Sequence, residues 1–185
     1  MLPRSFYQKH ATELAKALLG CELVHVTSDG ITSGLIVETE AYNQEDAASH
    51  SYKGKTERTK IMFESGGHVY VYFTYGMHYC FNVVSGEAGY GEAVLIRALE
   101  PVKGLDLMKQ RRNRTDQLTN GPAKLVQALV ITKADYGKEL YNNDELFIKP
   151  SSGTNFKIGT GPRVGISQAK DIPWRFWVKD NPFVS

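Results

Sequence analysis

Cysteine is scarce in this sequence, and long apolar runs are absent. The 185 residues include two cysteines, Cys21 and Cys80, which are too few for a disulfide framework. His78 lies close to Cys80, but no Cys-x-x-Cys pair follows, so a zinc-deaminase site lacks its ligands. No segment has the length of a membrane span or a signal-peptide core. We therefore predict a reduced, soluble, cytoplasmic protein that binds no metal, cofactor or membrane; it would be nucleoid-associated in a bacterium and nuclear in a eukaryote.

A strong charge imbalance is also missing. The formal net charge of +2 is too small to indicate a nucleic-acid partner by itself. The basic residues nevertheless form two runs, which are Lys53, Lys55, Arg58 and Lys60 and then Lys109, Arg111, Arg112 and Arg114. Such runs often only solvate a surface, but two runs that flank one site would bind phosphates. We assign candidate contacts with the DNA backbone to Lys53, Lys55, Arg58, Arg111 and Arg112.

The apolar periodicity and the turn residues predict a mixed α/β (α+β) fold in a single domain over residues 1–185. A hydrophobic content of 42% suits one ordinary core. Helices are predicted over residues 11–19, 101–112 and 122–131, the last two because proline favours a first helical turn. Strands are predicted over residues 34–42, 69–75, 80–85, 93–99, 146–149, 156–158, 163–166 and 175–178. The glycine-rich residues 86–91 are expected to form a hairpin loop.

Two carboxylates, Glu38 and Glu40, end an apolar stretch that begins at Leu35. Burial penalises an ionised carboxylate, so a buried pair is either bound by partners or used in chemistry. Side chains two residues apart on a strand share a face at roughly 6–7 Å, a separation at which two carboxyl groups can flank a glycosidic bond. An exposed edge strand with its acids in water explains the pattern equally well.

Tyrosines alternate with apolar residues over positions 70–77. This period of two places the tyrosines on one face of a strand and Val71 and Phe73 on the other. Such a stripe usually covers a core. Tyr75, however, precedes Gly76 at a predicted turn, where a large ring can project from a rigid scaffold. A projecting aromatic ring is typical of a wedge or a lid.

These segments resemble the alkyladenine (3-methyladenine) DNA glycosylase family, and the resemblance covers almost the whole chain. The matching segments are residues 2–6, 14–20, 37–42, 45–51, 70–82, 92–101, 121–129, 162–165, 175–177 and 181–185. The resemblance implies a curved, mainly antiparallel β-sheet or open barrel with flanking helices. Two positions depart from the family pattern. Glu57 stands where a proline is usual, which bears on loop rigidity and DNA contact, and Phe81 replaces a methionine on the pocket floor.

The resemblance implies a monofunctional enzyme of base-excision repair. It would flip a damaged purine out of double-stranded DNA, hydrolyse the N-glycosidic bond and leave an abasic site. The damaged purines of the family are 3-methyladenine, 7-methylguanine, hypoxanthine and ethenoadenine. Double-stranded DNA that contains such a purine would be the partner, and the enzyme would act as a monomer without a cofactor.

The resemblance also assigns the reacting groups. Glu40 would be the general base that activates a water molecule and stabilises the cationic sugar. Arg97 and the backbone carbonyl of Val164 would help to hold that water. Glu38 is expected to be a structural partner of a basic side chain.

The base pocket and the DNA wedge are assigned by the same resemblance. Tyr42, His50 and Tyr72 would sandwich the flipped base, since flat apolar faces stack well on alkylated purines. Asn82 would crowd the position of the exocyclic amine of guanine and so exclude that base. Intercalation into the DNA is assigned to Tyr75, with support from Met77.

Two other functions stay open from the sequence. The chain could be a non-catalytic nucleic-acid-binding barrel that keeps the basic runs and the aromatic faces. It could also be a carbohydrate glycosidase that uses Glu38 and Glu40 as paired acids. The presence of Glu40, Arg97 and Asn82 together argues against the first alternative, and an assay on sugar substrates would test the second.

Overall fold

A curled antiparallel β-sheet forms the body of the protein. The computed structural model describes residues 1–74, 78–151, 153 and 155–185. Within that part the strands are β1 (Glu22–Thr27), β2 (Gly30–Asn43), β3 (Val69–Thr74), β4 (His78–Val84), β5 (Glu92–Lys103), β6 (Leu146–Lys149), β7 (Ile158–Gly161) and β8 (Arg175–Val178). Their order is β3-β4-β5-β2-β1-β6, with β8 joined to β2 and β7 joined to β8. Every strand pairing among these residues is antiparallel.

Strand β2 organises the sheet. Its 14 residues pair with β5 along one edge, while the other edge pairs first with β1 and then with β8. The pairing with β5 shifts register near Ser33 and twice between Ile36 and Thr39. Such irregularities bend a strand and increase its twist, which helps the sheet to curl. Both edges of β2 are therefore covered where Glu38 and Glu40 lie.

Four helices accompany the sheet in the described residues. They are α1 (Arg4–Tyr7), α2 (Ala11–Ala17), α3 (Leu105–Arg112) and α4 (Pro122–Leu129), with two 3-10 helices at Lys60–Phe63 and Lys133–Asp135. Leu14 of α2 and Leu125 of α4 are fully buried in one cluster with Ile36 and Ile96 of the sheet. A fully buried leucine or isoleucine contributes about 2 kcal/mol, so this layer of helices fixes one face of the sheet. None of the described helices is long and apolar enough to cross a bilayer.

The predicted fold class is confirmed, and so is the hairpin between β4 and β5. The opening helix is also confirmed as α2, with Gly20 in a left-handed conformation after it. The predicted helix start at Pro101 is wrong, because β5 runs to Lys103 and Pro101 pairs with Gly34. Proline is tolerated there because the register shifts next to that pair.

The C-terminal strands differ from prediction in two places. Residues 163–166 form no strand, because Arg163 and Val164 make side-chain and amide contacts with β2 and its following loop instead of strand pairs. The strand predicted over residues 156–158 lies further along the chain as β7. Gly159 is required there, since a Cβ atom would lie 2.2 Å from the ring of Trp177 on β8. Strand β1 was not predicted at all.

Candidate active site

Glu40 is a buried carboxylate with three polar partners. Its side chain has no exposed surface, although the residue lies near the C-terminal end of β2. The Tyr42 hydroxyl donates to Oε2 over 2.8 Å, and the Val164 amide donates to Oε1 over 2.7 Å. Arg97 Nη1 lies 3.3 Å from Oε1. An ionised carboxylate only accepts hydrogen bonds, so these partners suit the charged form of Glu40.

Tyr42 joins this carboxylate to the neighbouring cavity. Burial, and then the charge and hydrogen bond of Glu40, raise the pKa of Tyr42 well above its usual range. The phenol therefore keeps its proton and remains a donor to Glu40. Since residues two apart on a strand share one face, the spacing of Glu40 and Tyr42 places both side chains on the same side of β2.

Arg97 of β5 connects the two carboxylates. Its side chain is 8% exposed, its Nε donates to Glu38 Oε1 over 3.2 Å, and its Nη1 approaches Glu40. The strand register explains why Arg97 lies close to both carboxylates, because Glu38 and Glu40 pair with residues on either side of Arg97 in β5. A buried guanidinium shared by two buried carboxylates compensates much of the cost of removing them from water.

Glu38 is a structural partner of basic side chains, as predicted. It is also fully buried, and Arg175 of β8 donates to its Oε1 over 2.5 Å. Its Oε2 accepts a hydrogen bond of 2.8 Å from the Ser185 amide. The hypothesis of an exposed edge strand is therefore wrong. Both oxygens of Glu38 are engaged by donors, which leaves this carboxyl poorly suited to the paired-acid chemistry of a carbohydrate glycosidase.

A cavity of about 270 Å³ opens beside Tyr42. It is lined by Tyr42, His50, Tyr70, Tyr72, Asn82 and Gly165, together with Ala47, Ala48, Ser49, Met62, Thr74, Ala93, Ile166, Ser167 and Gln168. The four predicted pocket residues are thus brought together from β2, the following loop, β3 and β4. Glu40 is not one of the lining residues, but it accepts hydrogen bonds from Tyr42, which lines the cavity, and from Val164, the residue before Gly165.

His50 and the tyrosines of β3 form an aromatic cluster in the cavity. The ring of His50 lies edge-on to Tyr72 with 4.4 Å between centroids, and its Nδ1 lies 2.9 Å from the Tyr70 hydroxyl. His50 keeps an exposed edge, yet desolvation by the pocket walls and then the charge of Arg58 lower its pKa to about 4. His50 is therefore neutral near pH 7. Burial and then the neighbouring Cys80 thiol raise the pKa of Tyr72, which stays protonated.

Asn82 is held on the floor of the same cavity. It is 4% exposed and pairs with Tyr70 across strands β4 and β3. Its Nδ2 donates to the Tyr70 carbonyl over 3.0 Å, which fixes the orientation of the amide. The side chain of Asn82 therefore cannot swing aside without losing a buried hydrogen bond.

Arg163 and Asp46 support the site and were not predicted. Both side chains are fully buried and form a two-point ion pair, in which Arg163 Nη2 lies 3.0 Å from Asp46 Oδ1. Arg163 also donates to the Ala41 carbonyl over 2.9 Å, and its guanidinium lies 4.6 Å from the ring centre of Tyr42. The pair ties the loop after β2 to the segment that carries Val164. No local pattern reveals this partnership, since 117 residues separate the two.

One residue of the first basic run, Arg58, lies beside the cavity. Arg58 is exposed, and its guanidinium lies 5.5 Å from the ring centre of Tyr72. Lys53 is exposed, whereas Lys55 lies 3.8 Å from Glu64. Glu57, which departs from the family pattern, pairs with Lys60 over 2.9 Å at the surface. Phosphate contacts by Lys53, Lys55 and Arg58 stay a prediction, and Arg58 has a position next to the cavity that suits one.

The second basic run is not brought to the cavity. Arg111 is 10% exposed and donates to the hydroxyls of Thr27 and Thr32 and to the Ala128 carbonyl. Thr32 stands eight residues before Glu40 on β2, a distance of about 25 Å along the strand. Arg112 donates to Gln127 over 2.5 Å. The internal bonds of Arg111 give it a structural role at the far end of β2, which disfavours the predicted phosphate contact.

The structure does not decide three further predictions, which concern the DNA wedge, the carbonyl of Val164 and the absence of a metal. Tyr75 and Met77, the predicted wedge, lie outside the described residues. The contact seen for Val164 is made by its amide, and the predicted role of its carbonyl towards water stays a prediction. In the part of the chain that the structure describes, no three His, Cys, Asp or Glu side chains come together as metal ligands.

Comparisons with known proteins agree on one family. The sequence model of a family described as methylpurine-DNA glycosylase matches residues 5–182. A protein of Carboxydothermus hydrogenoformans named "Putative 3-methyladenine DNA glycosylase" is 49% identical over 100% of this chain and 98% of its own length. Proteins of the same name are 48% identical in Methanoculleus marisnigri, over 100% of this chain and 98% of the relative, and in Francisella tularensis, over 94% and 92%.

Proposed function

This chain belongs to the methylpurine-DNA glycosylase family, and we propose that it hydrolyses the N-glycosidic bond of damaged purines in double-stranded DNA. It acts as a monofunctional enzyme and a monomer, and it leaves an abasic site in an intact strand. The observation that carries the proposal is the buried Glu40, which is held by Tyr42, Val164 and Arg97 and is joined through Tyr42 to an aromatic cavity. Its substrates are drawn from 3-methyladenine, 7-methylguanine, hypoxanthine and ethenoadenine.

The cavity supports recognition of a base outside the duplex. A stacked base cannot reach Glu40, so the nucleotide must be extruded at a cost of a few kcal/mol. Stacking on Tyr42, His50 and Tyr72 would return roughly 1–3 kcal/mol. Because His50 is neutral at physiological pH, it does not repel the positive charge of an alkylated purine. Tyr75 and Met77, which lie outside the described residues, are proposed to fill the gap left in the DNA.

Glu40 is proposed as the general base for an attacking water. Its charge also stabilises the oxocarbenium character that the sugar develops as the base departs. Arg97 and the carbonyl of Val164 help to hold the water beside this carboxylate. A cationic alkylated purine leaves without protonation, so the site needs no second acid for that class of substrate. The described residues that line the cavity include no lysine for a covalent intermediate, which supports simple hydrolysis.

Asn82 is proposed to select against undamaged guanine. The exocyclic amine at the purine 2-position distinguishes guanine from adenine and hypoxanthine. A fixed amide on the cavity floor would clash with that amine, and its hydrogen bond to the Tyr70 carbonyl holds it in place.

A panel of duplex oligonucleotides tests the proposed function. Each duplex carries one of the four damaged purines, and an undamaged duplex of the same sequence is the control. Release of the free base is measured together with alkali-labile sites in the strand. We expect base release and abasic sites in equal amounts, with no strand cleavage before alkali. Binding of all duplexes without release of any base would instead support a non-catalytic nucleic-acid-binding protein.

A further inference from the structure

Ser185 contacts all three ionic side chains that lie behind Glu40. Its amide donates to Glu38 Oε2 over 2.8 Å, and its hydroxyl accepts from Arg97 Nη2 over 3.2 Å. Its carbonyl accepts from Arg175 Nη2 over 3.1 Å. A single residue thus supplies one donor and two acceptors to the Glu38, Arg97 and Arg175 network.

The segment Asn181 to Ser185 is anchored by contacts of the residues that precede Ser185. Asn181 Nδ2 donates to Glu100 Oε2 over 2.7 Å, and Asn181 Oδ1 accepts from the Phe183 amide over 2.9 Å. Phe183 and Val184 pack against the main hydrophobic core. The polar and apolar contacts of this turn therefore fix the position of Ser185 next to the network.

The contact between Ser185 and Arg97 helps to fix the orientation of the Arg97 guanidinium. Nε is engaged by Glu38 and Nη2 by Ser185, while Nη1 lies 3.3 Å from Glu40. A guanidinium is planar and rigid, so fixing two of its nitrogens fixes the direction of the third. The contacts with Glu38 and Ser185 thus define where the positive charge stands relative to the carboxylate of Glu40.

We propose that Ser185 and Glu38 are positioning residues for the reaction, which hold Arg97 so that Nη1 stays on Glu40. The inference rests on the proposed role of Glu40 as the general base. It assigns the 181–185 segment a part in the chemical step, although none of these five residues lines the cavity. A purely structural segment would affect folding without a selective effect on catalysis.

Substitution of Ser185 separates these two roles. Ser185→Ala removes the hydroxyl acceptor of Arg97 but keeps the amide on Glu38, whereas Ser185→Thr keeps both. The loss of a hydrogen bond to a charged group corresponds to about tenfold in rate. We therefore expect single-turnover base release to fall about tenfold in Ser185→Ala and to recover in Ser185→Thr. Affinity for a duplex with a tetrahydrofuran abasic-site analogue should stay unchanged, as in the control Ser28→Ala at an exposed turn. The melting temperature should fall only modestly in Ser185→Ala, since one donor of Arg97 loses its partner, and should recover in Ser185→Thr.

A double-mutant cycle with Arg97→Lys tests whether Ser185 acts through Arg97. Lysine is a point charge that cannot keep three directional contacts, so Ser185→Ala should have little further effect in that background. An equal loss from Ser185→Ala in both backgrounds, or full activity of Ser185→Ala in the wild-type background, would overturn the proposal. The proposed function itself fails separately, if the wild-type protein releases no damaged base.

Discussion

The hydroxyl of Tyr42 lies 2.8 Å from Oε2 of Glu40, and the same tyrosine lines the cavity beside this carboxylate. One side chain therefore forms part of the wall of the proposed base pocket and also holds the proposed general base. The link follows from the strand, because residues two apart face the same side. A base bound in the cavity would therefore contact the same side chain that donates to Glu40.

Tyr42→Phe isolates the second of these roles. The substitution keeps the ring and removes the donor to Glu40, which also loses one of its three polar partners. We expect single-turnover base release to fall about tenfold, since the lost hydrogen bond is charge-assisted. Affinity for DNA with an abasic-site analogue should change little. Tyr141→Phe, which removes a phenol hydroxyl bonded to Glu139 away from the residues that line the cavity, serves as a matched control. An unchanged rate of base release would leave Tyr42 with stacking as its only role.

The titration of His50 tests the electrostatics of the cavity. Desolvation and then Arg58 lower the pKa of His50 to about 4 from an ordinary value of 6.5. Arg58→Gln should therefore raise the pKa of His50, as followed by NMR of the histidine ring. Lys60→Gln is the control, because Lys60 is exposed and already paired with Glu57. An unchanged titration in Arg58→Gln would show that burial alone depresses the pKa.

The same shift has a consequence for stability. A histidine with a depressed folded-state pKa binds its proton more tightly in the unfolded chain. Its contribution to the free energy of unfolding is therefore complete above about pH 6.5 and is lost as the pH falls towards 4. Because Arg58→Gln raises the folded-state pKa of His50, the loss of stability should be smaller and should occur over a narrower pH range. Thermal unfolding between pH 4 and 7 can detect this change.

Asn82→Ser tests steric selection on the cavity floor. The substitution removes most of the amide and opens space at the purine 2-position. Release of undamaged guanine should then rise relative to hypoxanthine on matched duplexes with the same opposing base. If leaving-group chemistry alone sets selectivity, the ratio of guanine to hypoxanthine release will be the same in wild type and variant.

Asp46→Ala tests the buried ion pair that was not predicted. Removal of Asp46 leaves Arg163 as an uncompensated buried charge, which typically costs 3–5 kcal/mol. For a chain of this size we expect the melting temperature to fall by about 10 °C. Asp116→Ala breaks the exposed pair with Arg114 and should change stability by less than about 1 kcal/mol. Similar melting temperatures for the two variants would contradict the structural role of the Asp46 pair.

The sequence predicted the parts of the fold that local patterns encode. Alternating apolar residues revealed β3 and β4, and the glycines between β4 and β5 revealed their hairpin. The strand over residues 93–99 was predicted, but its continuation through Pro101 was not, because the partner of Pro101, Gly34, lies 67 residues earlier, as the paired positions show. From the local sequence, a proline favours the start of a helix. In the structure, a bulge in the sheet allows the proline to lie within a strand instead.

In the candidate site, too, some features were predicted from the sequence and others depend on long-range contacts. The predicted pocket residues Tyr42, His50, Tyr72 and Asn82 do line one cavity. The basic run predicted a phosphate contact for Arg111, but the run itself does not show that Arg111 donates to the hydroxyls of Thr27 and Thr32, and the phosphate contact stays a prediction. The contact of Ser185 with Glu38 spans 147 residues and has no local signature either. Such contacts depend on how strands meet in space.

Single-turnover base release by Glu40→Gln tests the central claim most directly. The amide keeps the size of the side chain and much of its hydrogen bonding but cannot serve as a base or carry negative charge. Excision from duplex DNA with one damaged purine should fall by at least about 10²-fold, within the ~10²–10⁴-fold range of a general base, while binding to abasic-site DNA persists. A variant that releases the base at more than about a hundredth of the wild-type rate would contradict the assignment of Glu40 as that base.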